Sequence, residues 1–236
     1  MYSSDHGFRN YIETTFDGYV QADFKFRQFE LNYRRYFPDD LGAPLLDVGI
    51  GRGEMLSCMK HWQHDNYRGI DISASTVQFC QSLGLPCQLV ENTAAWLGEH
   101  ANQFALITLL DVLEHIEKSD VVPLLAALHA ALREKGVLII QLPNMQAPNA
   151  QLQRYNDVTH VGGYIENSLH QVLIAGGFSD IHFMPFNDSI STSWKEPVRL
   201  FLRACYWKWV RFTRKINGNI DPEILTPTFF AVAVKS

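Results

Sequence analysis

The chain of 236 residues is 47% hydrophobic, which supplies one globular domain with a full core and argues against a disordered chain. A net charge of −5 and an isoelectric point near 6.0 disfavour a broad nucleic-acid-binding surface. Because the sequence shows no secretory signal, no apolar run long enough to span a membrane and no CxxC pair among Cys58, Cys80, Cys87 and Cys205, we expect a cytoplasmic protein with reduced thiols and no zinc knuckle.

Strand-like and helix-like segments alternate along the chain. An aromatic-rich segment at residues 1–40 is predicted to be helical and to form a lid. Strands are predicted at residues 44–48, 67–70, 87–90, 104–110 and 137–142, followed by an antiparallel pair at 181–184 and 229–234. Helices between the strands imply a doubly wound α/β sheet, mainly parallel and covered on both faces, that binds ligands at the carboxyl ends of its strands.

The first predicted strand runs into alternating glycines: Asp47 is followed by Gly49, Gly51 and Gly53. Glycine leaves no side chain between the backbone and a ligand, and it tolerates the positive φ of a tight strand-to-helix turn. The dinucleotide fingerprint needs a glycine at position 54, where Glu54 stands, and the Asp47 carboxylate would lie where a pyrophosphate must bind. A ligand with an ammonium or hydroxyl group fits these charges better.

This Asp-x-Gly-x-Gly-x-Gly spacing resembles the cofactor motif of class I S-adenosylmethionine-dependent methyltransferases, whose cofactor carries an amino-acid end at this turn. The resemblance implies S-adenosyl-L-methionine as the cofactor. It also implies a Rossmann-like, seven-stranded sheet with an antiparallel last strand. An NAD-dependent oxidoreductase, which shares this type of sheet, is the alternative, and the glycine missing at position 54 counts against it.

Polar residues also follow the second and third predicted strands. Asp71 can accept hydrogen bonds from both hydroxyls of a ribose, whereas capping of the next helix, a role that Ser73 could equally fill, is the alternative. The resemblance places Ile72 beside the ribose as well. It places Asn92 and Thr93 against the adenine, and a helix-capping role for Asn92 is the alternative.

The fourth predicted strand leads into the segment Leu110-Asp-Val-Leu-Glu-His115. In the family pattern, backbone groups around Leu110 and Asp111 hold the methionine end of the cofactor, and Glu114 and His115 approach the substrate. Helical spacing predicts that Asp111 shares a face with Glu114 and His115. The alternative is a helix start with acids favoured by the macrodipole, and a histidine that only packs.

Residues 155–164 follow the fifth predicted strand and contain Asp157-x-Thr159-His160, with Ser168-Leu169 and Ala175-Gly-Gly-Phe178 further on. This layout resembles the tail of a bacterial methyltransferase subgroup that carries the Asp-Val-Leu-Glu-His motif. His115 and His160 are candidate catalytic bases, because a near-neutral pKa suits proton transfer, and a structural role is the alternative for each.

Some RNA 3′-end and polyprenyl-quinone methyltransferases bind a divalent metal with a related set of acids and histidines. This resemblance makes four residues candidate metal ligands, although a metal is not expected: Asp111, Glu114, His115 and His160.

The sequence predicts a single domain with a cofactor-binding core at residues 44–181. Residues 187–226 are predicted to form an insertion before the last strand. Residues 195–215 hold seven basic residues and one acid, Glu196. Helical spacing places Arg199, Arg203 and Arg214 on one face, opposite an apolar set of Val198, Leu202, Cys205, Trp209 and Phe212. Such a helix at 194–215 suits peripheral contact with the inner face of a membrane. A docked helix with a solvated basic rim, and a pocket cover that binds an acidic or phosphorylated substrate, are the alternatives.

The favoured function is transfer of a methyl group from S-adenosylmethionine to an oxygen of a small-molecule or glycan acceptor, which could be lipid-linked. It rests on the resemblance to bacterial surface-polysaccharide O-methyltransferases. A quinone or phenol oxygen and a nitrogen acceptor are alternatives. Nucleic-acid bases are disfavoured because the Asn/Asp-Pro-Pro-Tyr motif of many amine methyltransferases does not follow the fourth strand. A module that binds the cofactor without turnover is a further alternative, and the sequence does not indicate the oligomeric state.

Overall fold

The computed structural model describes residues 22–188, 193–219 and 223–236. Its strands are β1 (Leu45–Val48), β2 (Tyr67–Asp71), β3 (Cys87–Leu89), β4 (Phe104–Leu110), β5 (Leu132–Pro143), β6 (Asp180–Pro185) and β7 (Thr228–Val234). Its helices are α1 (Ala22–Tyr33), α2 (Glu54–His61), α3 (Ala74–Ser82), α4 (Thr93–Gly98), α5 (Lys118–Ala131), α6 (Ala150–Tyr155), α7 (Glu166–Ala175) and α8 (Glu196–Ile216). Two single 3-10 turns lie at Arg34–Tyr36 and Leu113–His115.

The strands form a seven-stranded sheet in the order β3-β2-β1-β4-β5-β7-β6. The first five strands pair in parallel, and β7 pairs antiparallel with both β5 and β6. This arrangement confirms the predicted doubly wound, mainly parallel sheet with an antiparallel last strand. The carboxyl ends of β1 to β5 therefore meet at one edge, where the glycine turn and the polar segments after β2, β3 and β4 come together.

Helices cover both faces of the sheet, as the apolar strands require. On one face α4, α5 and α7 contribute Leu97, Leu125 and Leu173 to a buried cluster, and on the other α1 and α2 contribute Tyr33 and Met59. Burial of each such side chain stabilises the fold by about 1.5–3 kcal/mol before entropy is counted. Helix α8 differs from these helices, because none of its residues is buried.

The N-terminal lid was predicted over residues 1–40, of which the structure describes those from 22 onward. Helix α1 packs through Phe29 and Tyr33 into the core, and Phe26 meets the rings of His61 and Trp62. The predicted lid also contains the aromatic residues Tyr11, Phe16 and Tyr19, which lie outside the described residues.

Candidate active site

A cavity of about 1150 Å³ opens at the carboxyl edge of the sheet, where β1, β2, β3 and β4 end. Its walls contain ten of the residues that the sequence singled out: Asp47, Gly49, Gly51, Asp71, Ile72, Asn92, Thr93, Leu110, Asp111 and His115. Helix α1 closes one side with Lys25 and Phe29. The volume slightly exceeds the range of about 300–1,000 Å³ that is usual for small-molecule sites, so a nucleoside-sized cofactor and an acceptor group can both be accommodated.

The glycines of the turn have two different duties. Gly49, Gly51 and Gly53 all have positive φ. Gly49 and Gly51 border the cavity, whereas Gly53 lies at the start of α2, where an added Cβ would stand 2.4 Å from Cδ1 of Leu85. Gly53 thus allows α2 to pack closely on the segment before β3. It is not part of the cavity wall, and it serves the cofactor site through the shape of the turn.

The Asp47 carboxylate lies at the base of the cavity and is 2% exposed. Burial raises its pKa to about 7, a hydrogen bond from Oγ1 of Thr108 to Oδ1 (2.6 Å) opposes the shift, and the charges of Glu54 and Asp71 add to it. A carboxyl group in this state is ready to ionise beside a cation, because a nearby positive charge lowers its pKa. The turn therefore suits an ammonium group and disfavours a phosphate.

Asp71 and Asn92 differ in whether they cap the helix that follows them. Ser73 caps α3 by accepting a hydrogen bond from the N–H of Thr76, and its own N–H donates to Oδ1 of Asp71 at 2.8 Å. Asp71 is therefore held by backbone groups while its side chain borders the cavity. Asn92 does cap α4, because its Oδ1 accepts a hydrogen bond from the N–H of Ala95 at 3.0 Å. It borders the cavity as well.

Asp111 does not begin a helix. Its φ of 53° is left-handed, and a single 3-10 turn, Leu113–His115, follows it. The prediction that Asp111 shares a helical face with Glu114 and His115 is therefore wrong: the left-handed residue turns the chain before the next side chains emerge. A helix cannot continue through such a residue, since this conformation costs an L-residue about 1–2 kcal/mol.

A hydrogen-bonded chain holds Asp111 in this conformation. The Tyr33 hydroxyl donates to Oε1 of Gln141, whose Nε2 donates to Oδ2 of Asp111 at 2.7 Å. The Asp111 carboxyl group borders the cavity. Burial raises its pKa, whereas the charge of Lys25 and the hydrogen bond from Gln141 lower it. Helix α1, strand β5 and the segment after β4 therefore fix this acid together.

His115 borders the cavity and is oriented from behind. Its Nδ1 lies 2.8 Å from Oγ1 of Thr159, and that hydroxyl donates its single hydrogen to Oδ1 of Asp157 at 2.7 Å. Thr159 must then accept a hydrogen bond from Nδ1–H of His115, which leaves the lone pair of the neutral ring on Nε2. Burial and the neighbouring His160 lower the pKa of His115 to about 4. The near-neutral pKa expected from the sequence is therefore wrong for this ring, which is neutral at pH 7 and a weaker base than a free imidazole.

Behind His115 lies a second pair, Glu114 and His160. The two histidine rings meet edge to face at 4.6 Å. Nδ1 of His160 lies 3.0 Å from the carbonyl oxygen of Gln153 and therefore donates to it, while Nε2 lies 4.0 Å from Oε1 of Glu114. Both carboxyl oxygens of Glu114 are buried without a hydrogen bond from the described residues. Burial, and then Asp111, raise its pKa well above the usual range.

The structure thus brings three of the four candidate metal ligands together and separates the fourth. Ligand atoms of Glu114, His115 and His160 lie within 4.8 Å of one another, and Asp111 is not part of this group. These three side chains could hold a divalent cation. A proton on Glu114 would remove the negative charge of the same buried oxygens without a cation.

The sequence alone did not indicate several residues of the site. Lys25 reaches the cavity from α1, and its Nζ lies 3.1 Å from Oε1 of Glu54. Thr108 and Gln141 support the two buried acids. A polar residue inside an otherwise apolar strand is the signal that could have found Thr108 and Gln141, because a buried polar group needs a partner. Lys25 carries no such signal.

The matched family agrees with this geometry. Residues 21–182 match a family model described as a methyltransferase domain. The chain belongs to this methyltransferase family. It is an S-adenosylmethionine-dependent methyltransferase rather than an NAD-dependent oxidoreductase, the alternative that the sequence left open. No curated protein matches the sequence.

Solved structures share the methyltransferase fold at low sequence identity. An S-adenosylmethionine-dependent methyltransferase from Archaeoglobus fulgidus is 19% identical, with a TM-score of 0.65 over 90% of this chain and 94% of its own. A possible histamine N-methyltransferase from Thermotoga maritima is 11% identical, with a TM-score of 0.67 over 99% and 100%. Phosphoethanolamine N-methyltransferase 2 of Haemonchus contortus is 16% identical, with a TM-score of 0.65 over 97% and 60%.

Proposed function

We propose that this methyltransferase acts on an oxygen of a small-molecule or glycan acceptor, with His115 as the base that removes the acceptor proton. The observation that carries the proposal is the chain from Asp157 through Thr159 to His115, because it sets the ring tautomer at the wall of the cofactor cavity. A hydroxyl acceptor gains a positive charge if it is methylated before it loses its proton. A positioned base relieves that charge and typically accelerates such a step by 10²–10⁴-fold.

The cavity residues fit the cofactor by their chemistry. S-adenosylmethionine supplies, when bound, a methyl group activated by a sulfonium charge. Asp71 would accept the ribose hydroxyls, and Asn92 with Thr93 would border the adenine. The backbone at Gly49, Gly51, Leu110 and Asp111 would hold the amino-acid end, near the Asp47 carboxylate. The buried Asp47 carboxylate beside this turn supports a cofactor with an ammonium group at this place.

Each residue of the base assembly has one task. Nε2 of His115 accepts the proton, and Asp157 stabilises the resulting imidazolium through the Thr159 hydroxyl. Burial disfavours the charged ring and keeps His115 neutral until a proton arrives. A protonated Glu114 faces Nε2 of His160 and avoids a buried negative charge. His160 thus acts through its contact with His115. It does not line the cavity, so it is a weaker candidate for the base than His115.

Binding is the first test. Calorimetry should detect S-adenosylhomocysteine but neither NAD nor NADH, and Asp71→Asn should weaken binding by roughly tenfold, since hydrogen bonds to a charged group contribute about 1.5–3 kcal/mol. An exposed acid on β6, Asp180, provides the control variant Asp180→Asn. Equal affinity in the wild type and in Asp71→Asn would remove the ribose role.

Turnover is the second test. Sugars, phenols, quinols and amines would be incubated with S-adenosylmethionine, and methylated products would be detected by mass spectrometry. On a hydroxyl acceptor, His115→Gln should lower kcat by about 10²–10⁴-fold and leave cofactor binding intact, whereas His182→Gln, on an exposed histidine, should change neither. An amine as the sole acceptor, or full activity of His115→Gln, would contradict the proposal. Cofactor binding without methylation of any acceptor would favour the non-catalytic module.

A further inference from the structure

Helix α8 presents to solvent the face that a globular protein normally buries. Its 21 residues run from Glu196 to Ile216, and none is buried. Large apolar side chains recur along it every three or four residues and are 47% to 67% exposed: Val198, Phe201, Leu202, Tyr206, Trp209, Phe212 and Ile216. At 100° per residue they form one continuous apolar stripe along the helix. Trp194, just before the helix, is 79% exposed.

The opposite face of α8 attaches the helix to the protein. Arg203 donates to Oδ1 of Asp188 at 2.6 Å, Arg211 donates to the carbonyl of Glu223 at 2.9 Å, and Arg214 donates to the carbonyl of Gln146. The half-buried residues Leu200, Trp207 and Val210 lie on this side as well. The alternative of a docked helix with a solvated basic rim is therefore wrong, because arginines face the protein and the apolar stripe faces outward.

The positive charge around the apolar stripe favours a partner with anionic groups. Residues 195–215 hold seven of the 20 Lys and Arg residues and one of the 25 Asp and Glu residues, although the whole chain has a net charge of −5. Helical spacing places Lys208 and Lys215 along one border of the stripe. Arg199 lies along the other border, where it pairs with Glu196 and Asp188. Cations beside exposed tryptophan and phenylalanine suit the interface of an anionic bilayer.

We propose that α8 lies in the plane of an anionic lipid bilayer, with its apolar stripe in the headgroup region and Lys208 and Lys215 on lipid phosphates. Burial of such a stripe and the lipid charge contribute together, since each Lys or Arg near an anionic surface is worth about 1 kcal/mol. No helix within the described residues is both long and apolar enough to cross a membrane. Because the cytoplasmic leaflet is the anionic one, the proposed contact is with the inner face of the membrane.

A second copy of the chain fits the stripe less well. Glu196 is the only acid between residues 195 and 215, and Arg199 already pairs with it. The stripe of another copy would therefore bring no anion to Lys208 and Lys215, and it would add their counterparts to the same interface. Like charges at an interface cost free energy. A lipid surface supplies the anions that the stripe of another copy lacks.

The position of α8 has a consequence for the acceptor that rests on the proposed function. Gln146, which receives Arg214, lies in the segment after β5 that continues to Thr159 and His160. A second cavity of about 480 Å³ lies between α6 and α8, with Arg154 and Arg214 in its wall, and Arg154 donates to the carbonyl of His160. Through these contacts α8 is joined to the loop that holds Thr159 and His160, so we expect a lipid-linked acceptor at the bilayer to approach the catalytic site along this loop.

Co-sedimentation of the full chain with vesicles tests the docking. Phosphatidylcholine vesicles with about one third phosphatidylglycerol should bind the protein, and pure phosphatidylcholine should bind at least tenfold less. Tryptophan fluorescence should shift to shorter wavelength on binding, and high salt should weaken it because salt screens exposed charges. Binding to both vesicle types alike, or to neither, would overturn the proposal.

Matched variants test whether the vesicles bind the apolar stripe and its lysines or exposed apolar residues in general. Trp209→Ser with Phe212→Ser, and separately Lys208→Glu with Lys215→Glu, should each lower vesicle binding at least tenfold. Leu31→Ser with Leu83→Ser alters exposed apolar residues elsewhere and should not. None of the altered residues is buried, so circular dichroism should be unchanged.

Self-association is measured by analytical ultracentrifugation without lipid. A dimer that Trp209→Ser with Phe212→Ser abolishes, combined with unchanged vesicle binding of that variant, would assign the stripe to a second copy and overturn the lipid proposal. Vesicle binding does not require methyl transfer. A failed acceptor screen therefore leaves the docking intact, and a failed docking leaves the His115 test intact.

Discussion

Burial raises the pKa of four acids in the active site, and three of them besides Asp71 differ in how their oxygens are satisfied. Asp47 accepts a hydrogen bond from Thr108, and Asp111 accepts one from Gln141. Glu114 accepts none from the described side chains. A buried carboxyl group without a donor retains its proton, since ionisation there would leave an unpaired charge. The three acids are therefore expected to respond differently to pH and to the cofactor.

Cofactor affinity should depend on the ionisation of Asp47. Its pKa of about 7 means that below neutrality the carboxyl is protonated and cannot pair with the cofactor ammonium group. We expect the affinity for S-adenosylhomocysteine to fall by up to about tenfold per pH unit below pH 7 and to level off above it. Calorimetry at pH 6, 7 and 8 measures this slope. Asp47→Asn should bind more weakly with a flatter profile, and a variant that retains the full slope would refute the assignment.

Fold stability should show the signature of Glu114. Its pKa is higher in the folded protein than in the unfolded chain, so the folded state retains the proton longer as pH rises. This contribution is fully present below the unfolded pKa near 4.3 and is lost as pH rises towards the folded value, by up to about 1.4 kcal/mol per pH unit. Glu114→Gln should remove the loss, so its stability relative to wild type should increase between pH 5 and pH 8 in urea unfolding. A constant difference over this range would contradict the shift.

Individual residues were predictable from the sequence where position along a strand decides their place. Asp71 and Asn92 follow strands, and a parallel sheet brings strand ends to one edge, so both border the cavity as expected. The contact of His115 with Thr159 joins residues that are 44 positions apart. Its geometry depends on the left-handed Asp111 and on how the later loop packs, neither of which a local pattern encodes.

At the scale of elements, the turn from β1 into α2 positions half of the site. The left-handed backbone at Gly53 allows α2 to start directly after the turn, and the absence of a side chain there lets the turn approach Leu85. The geometry of β1, the turn and α2 thus depends on contacts with the segment that leads into β3. This unit presents the Gly49 and Gly51 backbone to the cavity.

Alanine at two glycines should separate conformational strain from steric overlap. Gly53 and Gly84 have similar φ values, 77° and 70°, but a Cβ at Gly53 would meet Cδ1 of Leu85 at 2.4 Å, whereas a Cβ at Gly84 has no atom within 4 Å. Gly84→Ala should destabilise by about 1–2 kcal/mol through φ alone. Gly53→Ala should add roughly 1–3 kcal/mol from overpacking. Urea unfolding measures both, and equal losses would mean that the turn relaxes freely.

Strands were easier to predict than the orientation of helices. The strands of a parallel sheet are buried on both faces, so apolar runs such as 104–110 identify them directly. Strand β5 begins earlier than predicted, at Leu132, where the pairing with β4 shifts register beside the charged residues Arg133 and Glu134. For α8 the pattern showed an apolar and a basic face, but which of them meets the protein depends on partners such as Asp188 and Gln146.

For the molecule as a whole, the cofactor cavity joins parts of the chain that are otherwise separate. Lys25 and Phe29 come from α1, Asp71 ends β2, and His115 follows β4. A ligand in this cavity would contact α1 and the segments that follow β1 to β4 at once. Binding should therefore stabilise the entire fold rather than one subdomain.

Thermal unfolding should reveal this coupling. A ligand present at 100 times its Kd stabilises a folded protein by about 2.7 kcal/mol, and a chain of this size gains about 2–4 °C in Tm per kcal/mol. S-adenosylhomocysteine at that concentration should therefore raise the Tm by roughly 5–10 °C in a single cooperative transition, and NADH should not. Two separate transitions, of which only one responds to the ligand, would show that the cavity does not couple α1 to the segments that follow the strands.

The order of the strands also bears on how the protein forms during translation. Strand β7 is made after β6, yet it lies between β5 and β6 and pairs with both along its length. Until β7 leaves the ribosome, β5 has one unpaired edge and β6 has no strand beside it in the final arrangement. The nascent chain must therefore expose an unfinished, strongly apolar sheet edge throughout the synthesis of α8. Chaperones that bind extended apolar segments have their longest opportunity in that interval.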